Sequence, residues 1–259
     1  MKILMIGDIM GEPGRRAVAR LLPKLIAKHE IDVVIGNGEN VAGGFGITPD
    51  LMDDLFDLGV SVITTGNHAW DKKEILDVFP REPRLLRPAN YPSGVPGHGS
   101  YVFATPAGES LGILHLMGRA FMPTIDCPFQ VGKREVERLK TQVAAIVVDL
   151  HAEATSEKMA MAHYLDGLVT AVAGTHTHVQ TADEQILPKG TAYITDIGMT
   201  GPLHSVIGIK KELAIEKFLT GMPRRFEVAA GPTVFCAILL NVDASLGKAL
   251  SIERIRVVD

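Results

Sequence analysis

The sequence predicts an α/β fold in which two packed β-sheets are covered by helices. Short, almost purely apolar runs recur along the chain, most of them joined by segments of helical periodicity, and runs of that kind are strands buried on both faces. Between residues 91 and 116 the texture changes to short alternating runs punctuated by Gly and Pro, the pattern of antiparallel strands. Neither a linker nor an internal repeat interrupts the 259 residues, so 1–259 is expected to be a single domain.

Residues 2–6 are an apolar strand that ends at Gly7-Asp8. A helical pattern follows over 13–28, where Val18, Leu21, Leu22, Leu25 and Ile26 recur at helical spacing. Pro13 suits its first turn, where the missing N–H had no partner. Residues 31–35 read as the next strand, 48–58 as a helix capped by Thr48, and 60–64 as a strand. Asp71 is expected to cap a further helix through Phe79. The runs 101–104 and 111–116 are the antiparallel pair. A helix over 133–144 leads to a buried strand at 145–150, and a helix over 155–165 leads to a strand at 168–173. Strands near 192–195, 233–242 and 251–257 complete the reading.

Composition narrows the function. Apolar residues form 46% of the chain, enough for a sizeable core. The net charge is -4, and the doublets Arg15-Arg16 and Arg224-Arg225 stand alone, so a dedicated nucleic-acid binder is excluded; an RNA partner would have to bind without a basic patch. The apolar run 3–6 is too short for a signal-peptide core, and no stretch of about twenty apolar residues exists to span a membrane. Two cysteines, Cys127 and Cys236, make neither a CxxC motif nor a disulfide framework. A cytoplasmic location is expected.

The polar residues that carry chemistry fall just after the apolar strands. Asp8 follows the first, Glu39 and Asn40 the second, Asn67 and His68 the third, His151 the strand at 145–150, and His176 and His178 the strand at 168–173. If these strands are parallel neighbours, their carboxyl ends share one edge of a sheet, where open α/β sheets bind ligands. Carboxylate, amide oxygen and neutral imidazole suit iron, manganese or zinc. On an extended segment His176 and His178 project the same way and reach two adjacent ions, while Glu39 has the reach to bridge them. Taken singly, Asp8 reads equally well as a helix cap, Asn67 as a turn residue and His151 as a core histidine. Their combination at consecutive strand ends is what points to a metal centre.

The motifs Gly7-Asp8, Gly38-Glu39-Asn40, Gly66-Asn67-His68, the later His151 and Gly174-Thr-His-Thr-His resemble the calcineurin-like metallophosphoesterases. Nearly the whole chain is similar to the YmdB branch of that superfamily, above all in the segments 149–158, 174–180 and 195–201. Two features depart from the broad superfamily: Met10 stands where the usual Asp-x-His opening has its histidine, and Glu39 replaces the usual bridging Asp. The YmdB resemblance implies that Asn40 supplies the lost ligand. It implies that Asp8, Glu39, Asn40 and His178 hold one metal and Glu39, Asn67, His151 and His176 the other, with His68 off the metals. It further implies a four-layer α/β/β/α sandwich of two mixed sheets and two metal ions per chain, iron or else manganese, in a bacterial homo-oligomer. The substrates it implies are cyclic nucleotides, 2′,3′-cyclic species included.

The expected reaction is phosphodiester hydrolysis by a metal-bridging hydroxide, with His68 protonating the leaving alkoxide. A dinucleotide site built on Gly7, Gly11 and Gly14 is the enzymatic rival, but the spacing is not G-x-G-x-x-G and the three later histidines stay unexplained. The rival from another class is a metal-containing regulatory or RNA-associated protein with incidental phosphatase activity. Arg119, Phe121, Thr200 and Ser205 are further candidates for substrate contact, and His204 reads as a surface-loop residue.

Overall fold

The structure is a computed structural model that describes residues 1–259. In chain order the strands are β1 (Lys2–Ile6), β2 (Asp8–Ile9), β3 (Val33–Asn37), β4 (Val62–Thr64), β5 (Leu85–Leu86), β6 (Ser100–Ala104), β7 (Ser110–Met117), β8 (Ala145–His151), β9 (Ala171–Thr175), β10 (Gln185–Ile186), β11 (Ala192–Ile194), β12 (Met199–Pro202), β13 (Thr233–Asp243) and β14 (Lys248–Val258). The helices are α1 (Gly11–His29), α2 (Pro49–Asp57), α3 (Pro128–Lys140), α4 (Thr155–Leu165) and α5 (Lys211–Thr220).

Two mixed sheets result. One runs β2-β12-β13-β1-β3-β4-β5 with β14 on β13; the other runs β10-β11-β9-β8-β7-β6. Within them β1, β3, β4 and β5 are parallel, as are β7, β8, β9 and β11. The alternation along β1 shows why the sheets stack. Ile3 and Met5 face the second sheet and pack in one cluster with Ile113, Val147 and Ile194, while Leu4 and Ile6 face α1 and pack with Val18 and Leu22. Likewise β8 sends Val147 between the sheets and Ile146, Val148 and Leu150 outward against Leu139 of α3 and Met161 of α4. Three apolar layers therefore separate four layers of structure, the expected α/β/β/α sandwich.

Several boundaries moved, each for a local reason. The strand read at 31–35 begins at Val33 and reaches Asn37, and that at 168–173 is displaced to Ala171–Thr175. The helix read at 133–144 starts at Pro128, which occupies its first turn, and ends at Lys140. The helix expected after Asp71 is only a 3-10 turn, Lys73–Ile75, preceded by Lys72, and the Asp71 carboxylate meets His68 Nδ1 instead of capping it. Thr48 flanks α2 as expected but makes no side-chain cap. The premise of a single sheet edge is corrected as well. The ligand-bearing strands are divided, β1, β3 and β4 in the first sheet and β8 and β9 in the second, and their carboxyl ends meet across the sandwich.

Candidate metal centre

Each candidate ligand leaves its strand within a few residues of the strand's end, where the chain is free to turn. Asp8 follows β1 after Gly7, and its backbone N–H is tied to the Gly198 carbonyl at 3.1 Å. Glu39 lies two residues beyond β3 and is braced by Asn37, whose Oδ1 accepts the Glu39 N–H at 3.1 Å while its amide donates to the Thr65 carbonyl. His151 is the last residue of β8, and Asn67-His68 follow β4 through Gly66. A Cβ on Gly66 would lie 2.3 Å from Glu39 Oε2 and 2.4 Å from His151 Nε2, so only glycine lets these two groups close on the turn. His176 and His178 follow β9 on a segment that is not extended. Both have positive φ, 96° and 65°, a conformation that non-glycine residues seldom adopt, and the turn rather than a strand pleat aims them.

Glu39, His151 and His176 place one ligand atom each within 4.8 Å of one another. His151 Nε2 stands 3.0 Å from Glu39 Oε1 and 3.1 Å from both Asn67 Oδ1 and His176 Nδ1. Asp8 joins from the far side: its Oδ2 accepts the His176 backbone N–H at 3.1 Å, and its Oδ1 is 3.8 Å from both His151 Nδ1 and His178 Nε2. The Asn40 carbonyl accepts the Gly11 N–H, and its side-chain amide donates to the Gly44 carbonyl. His68 stands at the rim, half-buried. Its backbone N–H donates to Glu39 Oε2 at 3.0 Å, its Nδ1 meets Asp71 Oδ2 at 2.8 Å, and Phe45 packs edge-on against its ring.

The residues fit a cation on three grounds. Asp8 Oδ1 and Asn40 Oδ1 are buried and have no donor, an arrangement that proteins avoid unless something else satisfies the oxygen. His151 and His178 each have Nδ1 engaged away from the ligand group. His151 Nδ1–H donates to Thr175 Oγ1 at 2.9 Å, and that hydroxyl donates on to Asp149 Oδ1 at 2.8 Å. His178 Nδ1–H donates to the Ile207 carbonyl at 2.9 Å. In the neutral imidazoles these bonds assign the proton to Nδ1 and leave the Nε2 lone pair to face a cation, as in metal-ligating histidines. The third ground is charge. Burial pushes the Asp8 carboxyl up to about 6. Burial also opposes ionisation of Glu39, yet His151 and His68 outweigh it and hold that carboxyl down at about 2. Burial disfavours a proton on His151 too, but Glu39 and Asp8 outweigh it and raise the imidazole to about 9. Burial and the neighbouring His151 depress His176 to about 3. The centre thus gathers buried negative charge that a single proton on His151 offsets in part.

Other groups around the centre were not visible from spacing. Asp149, between the sheets, accepts Thr64 Oγ1–H at 2.5 Å and the Thr175 hydroxyl, which anchors His151 to both sheets. His115 is fully buried beside it, and burial lowers its pKa. Met10 packs in an apolar cluster with Met199, Ile209, Val234 and Cys236. Thr200 is buried and Ser205 half-buried, and their hydroxyls donate to backbone carbonyls; Phe121 and Arg119 are exposed on the loop after β7. His204 is exposed, as expected.

The profile of the YmdB-like protein family matches residues 4–255. The chain belongs to this family. A relative from Bacillus subtilis named 2′,3′-cyclic-nucleotide 2′-phosphodiesterase is 48% identical over 260 residues, covering 100% of this chain and 98% of its own. Two crystal structures superpose closely. That of a hypothetical protein from Thermus thermophilus has a TM-score of 0.94 at 44% identity, with both chains fully covered. That of a Mycoplasma pneumoniae protein described as a novel phosphatase has a TM-score of 0.93 at 38% identity, covering 100% of this chain and 93% of that one. The family, the metallophosphoesterase fold and the class of phosphoric diester hydrolase, all expected from the motifs, stand. No helix is long and apolar enough to cross a membrane.

Proposed function

We propose that this family member is a two-metal phosphodiesterase that opens 2′,3′-cyclic nucleotides, with His68 as the proton donor. The observation that carries the reading is the convergence of buried Glu39 and His151 with half-buried His176, with Asp8 Oδ1 and Asn40 Oδ1 lacking any donor beside it. Asp8, Glu39, Asn40 and His178 would hold one cation, and Glu39, Asn67, His151 and His176 the other. Iron is the first expectation and manganese the second. When bound, the cations draw charge from the phosphate oxygens and make an attacking water nucleophilic at neutral pH.

The chain's own residues do the rest. Glu39 is held by Asn37 on one side and by the His68 amide on the other, so the bridge and the acid share one support. Asp71 accepts from His68 Nδ1, which fixes the ring and leaves Nε2–H to protonate the leaving ribose oxygen. The Asn67 amide N–H can meet charge on an equatorial phosphate oxygen. The substrate class rests on the name of the Bacillus subtilis relative. A cytoplasmic location and a homo-oligomeric state belong to the same reading.

The test is a substrate panel on protein of measured metal content. Hydrolysis of 2′,3′-cyclic nucleotides well ahead of linear and chromogenic diesters, rising with metal loading, is the expected outcome. A fully loaded protein inert towards every diester would instead favour the regulatory reading.

A further inference from the structure

The segment carrying His176 and His178 turns through two positive-φ residues, and something must hold it there. Behind it lies a buried ion pair that the proposed chemistry does not use. Lys158, on α4 and 1% exposed, donates through Nζ to Asp196 Oδ2 at 2.7 Å, and Asp196 is fully buried. The same Asp196 Oδ2 accepts twice from Thr177, the residue between the two histidines. Its backbone N–H is at 3.1 Å and its hydroxyl at 2.7 Å. Asp196 Oδ1 accepts the Gly198 N–H at 2.8 Å, and the Gly198 carbonyl in turn accepts the Asp8 N–H at 3.1 Å. Beyond the histidines, Thr181 closes the turn: its N–H donates to the Asp196 carbonyl, and its hydroxyl accepts the Asp196 N–H.

One carboxylate therefore reaches the backbone of both the two-histidine turn and the Asp8 turn. The sequence makes room for it at Gly174, where a Cβ would lie 1.8 Å from the Thr195 carbonyl oxygen and 2.8 Å from Lys158 Cδ. A salt bridge serving only stability would not need its acceptor shared with the residue between two ligands.

We propose that Lys158, Asp196 and Thr177 form a clamp of positioning residues that preorganises His176 and His178, one ligand for each cation. The inference rests on the reading of those histidines as metal ligands. In the clamp the ammonium fixes the carboxylate, and the carboxylate fixes Thr177. Thr177 in turn keeps both flanking residues in the left-handed region. Losing groups that hold metal ligands in place typically lowers metal affinity by about 10–100-fold.

Three variants test it. Thr177→Val removes one hydroxyl and leaves the ion pair intact; Thr177→Ser keeps the hydroxyl; and Lys158→Met combined with Asp196→Asn removes both charges so that neither is stranded. Each is studied first without metal, by thermal melting and by amide hydrogen exchange at His176 and Thr177, and then by titration with Mn2+. Thr177→Val is expected to exchange faster at those amides and to bind Mn2+ about 10–100-fold more weakly at nearly unchanged Tm, with Thr177→Ser close to the native chain. The double variant should lose at least as much affinity. Native exchange and native Mn2+ affinity in Thr177→Val would overturn the clamp, as would native affinity in a folded double variant. Failure of the phosphodiesterase reading has a different signature, a native chain that binds Mn2+ and shows the protected turn yet hydrolyses no diester.

Discussion

Acid should expel metal from the centre in proportion to the protons its ligands must take up. In the metal-free protein burial works against a charged His151, yet Glu39 and Asp8 outweigh it and hold the pKa at about 9. That proton sits on Nε2, the atom 3.0 Å from Glu39 Oε1, because Nδ1–H is committed to Thr175. A cation entering the Glu39–His151–His176 group must displace it. A raised pKa means the protonated form persists below about 9, so metal competes with one proton across the neutral range. Apparent affinity then falls about tenfold, or about 1.4 kcal/mol, for each unit of falling pH. Below about 6 the Asp8 carboxyl, raised to that value by burial, takes up a second proton. The cation that Asp8 would hold then meets a competing proton of its own. His176, depressed to about 3 by burial and by His151, adds nothing in this range. Calorimetric titration of Mn2+ in buffers of different ionisation heat, at about pH 6, 7 and 8, reads affinity and proton release together. About one proton released for the first ion near pH 7 is expected. A flat affinity with no proton release would refute the assignment of His151 Nε2 as a ligand atom.

Further outcomes follow from the same geometry. His68→Ala should lower kcat by roughly 10²–10⁴-fold with bound metal unchanged, and Asp71→Asn should lower it less, in the same direction and with little change in KM; steady-state kinetics beside metal analysis checks both. Gly66→Ala should fold but lose metal, since its Cβ would press on Glu39 and His151 at 2.3 and 2.4 Å; melting and metal content measured on the same sample decide this. Thr175→Val strands the His151 Nδ1–H and one Asp149 oxygen, and should cost about 1–3 kcal/mol in denaturant unfolding together with weaker Mn2+ binding.

Apolar periodicity was enough for the layers and for most strands, because a run such as Lys2–Ile6, buried on both faces, has few other places to go. Strands of two to four residues such as β2, β5 and β12 were not legible, since pairing with neighbours distant in sequence, and no local pattern, defines them. The polar residues of the site could be read because each follows an apolar run at a glycine-rich turn. Their distribution over two sheets could not, since it depends on which strands pair. The same limit hid the supporting groups. Asp149 lies inside an apolar strand and Lys158 inside a helix, and only tertiary contact with Thr175 and Asp196 gives them a role. Asp71 misleads for a related reason: a carboxylate ahead of a helical pattern looks like a cap, whereas its partner is the His68 ring three residues back.

The central claim is that Glu39 joins two cations into one centre. The direct measurement is the metal content and Mn2+ stoichiometry of Glu39→Ala beside the native chain, with folding checked by thermal melting. A folded variant that has lost both ions together is the expected result. A variant that keeps one equivalent at native affinity would show two independent sites, and the bridged centre would be wrong.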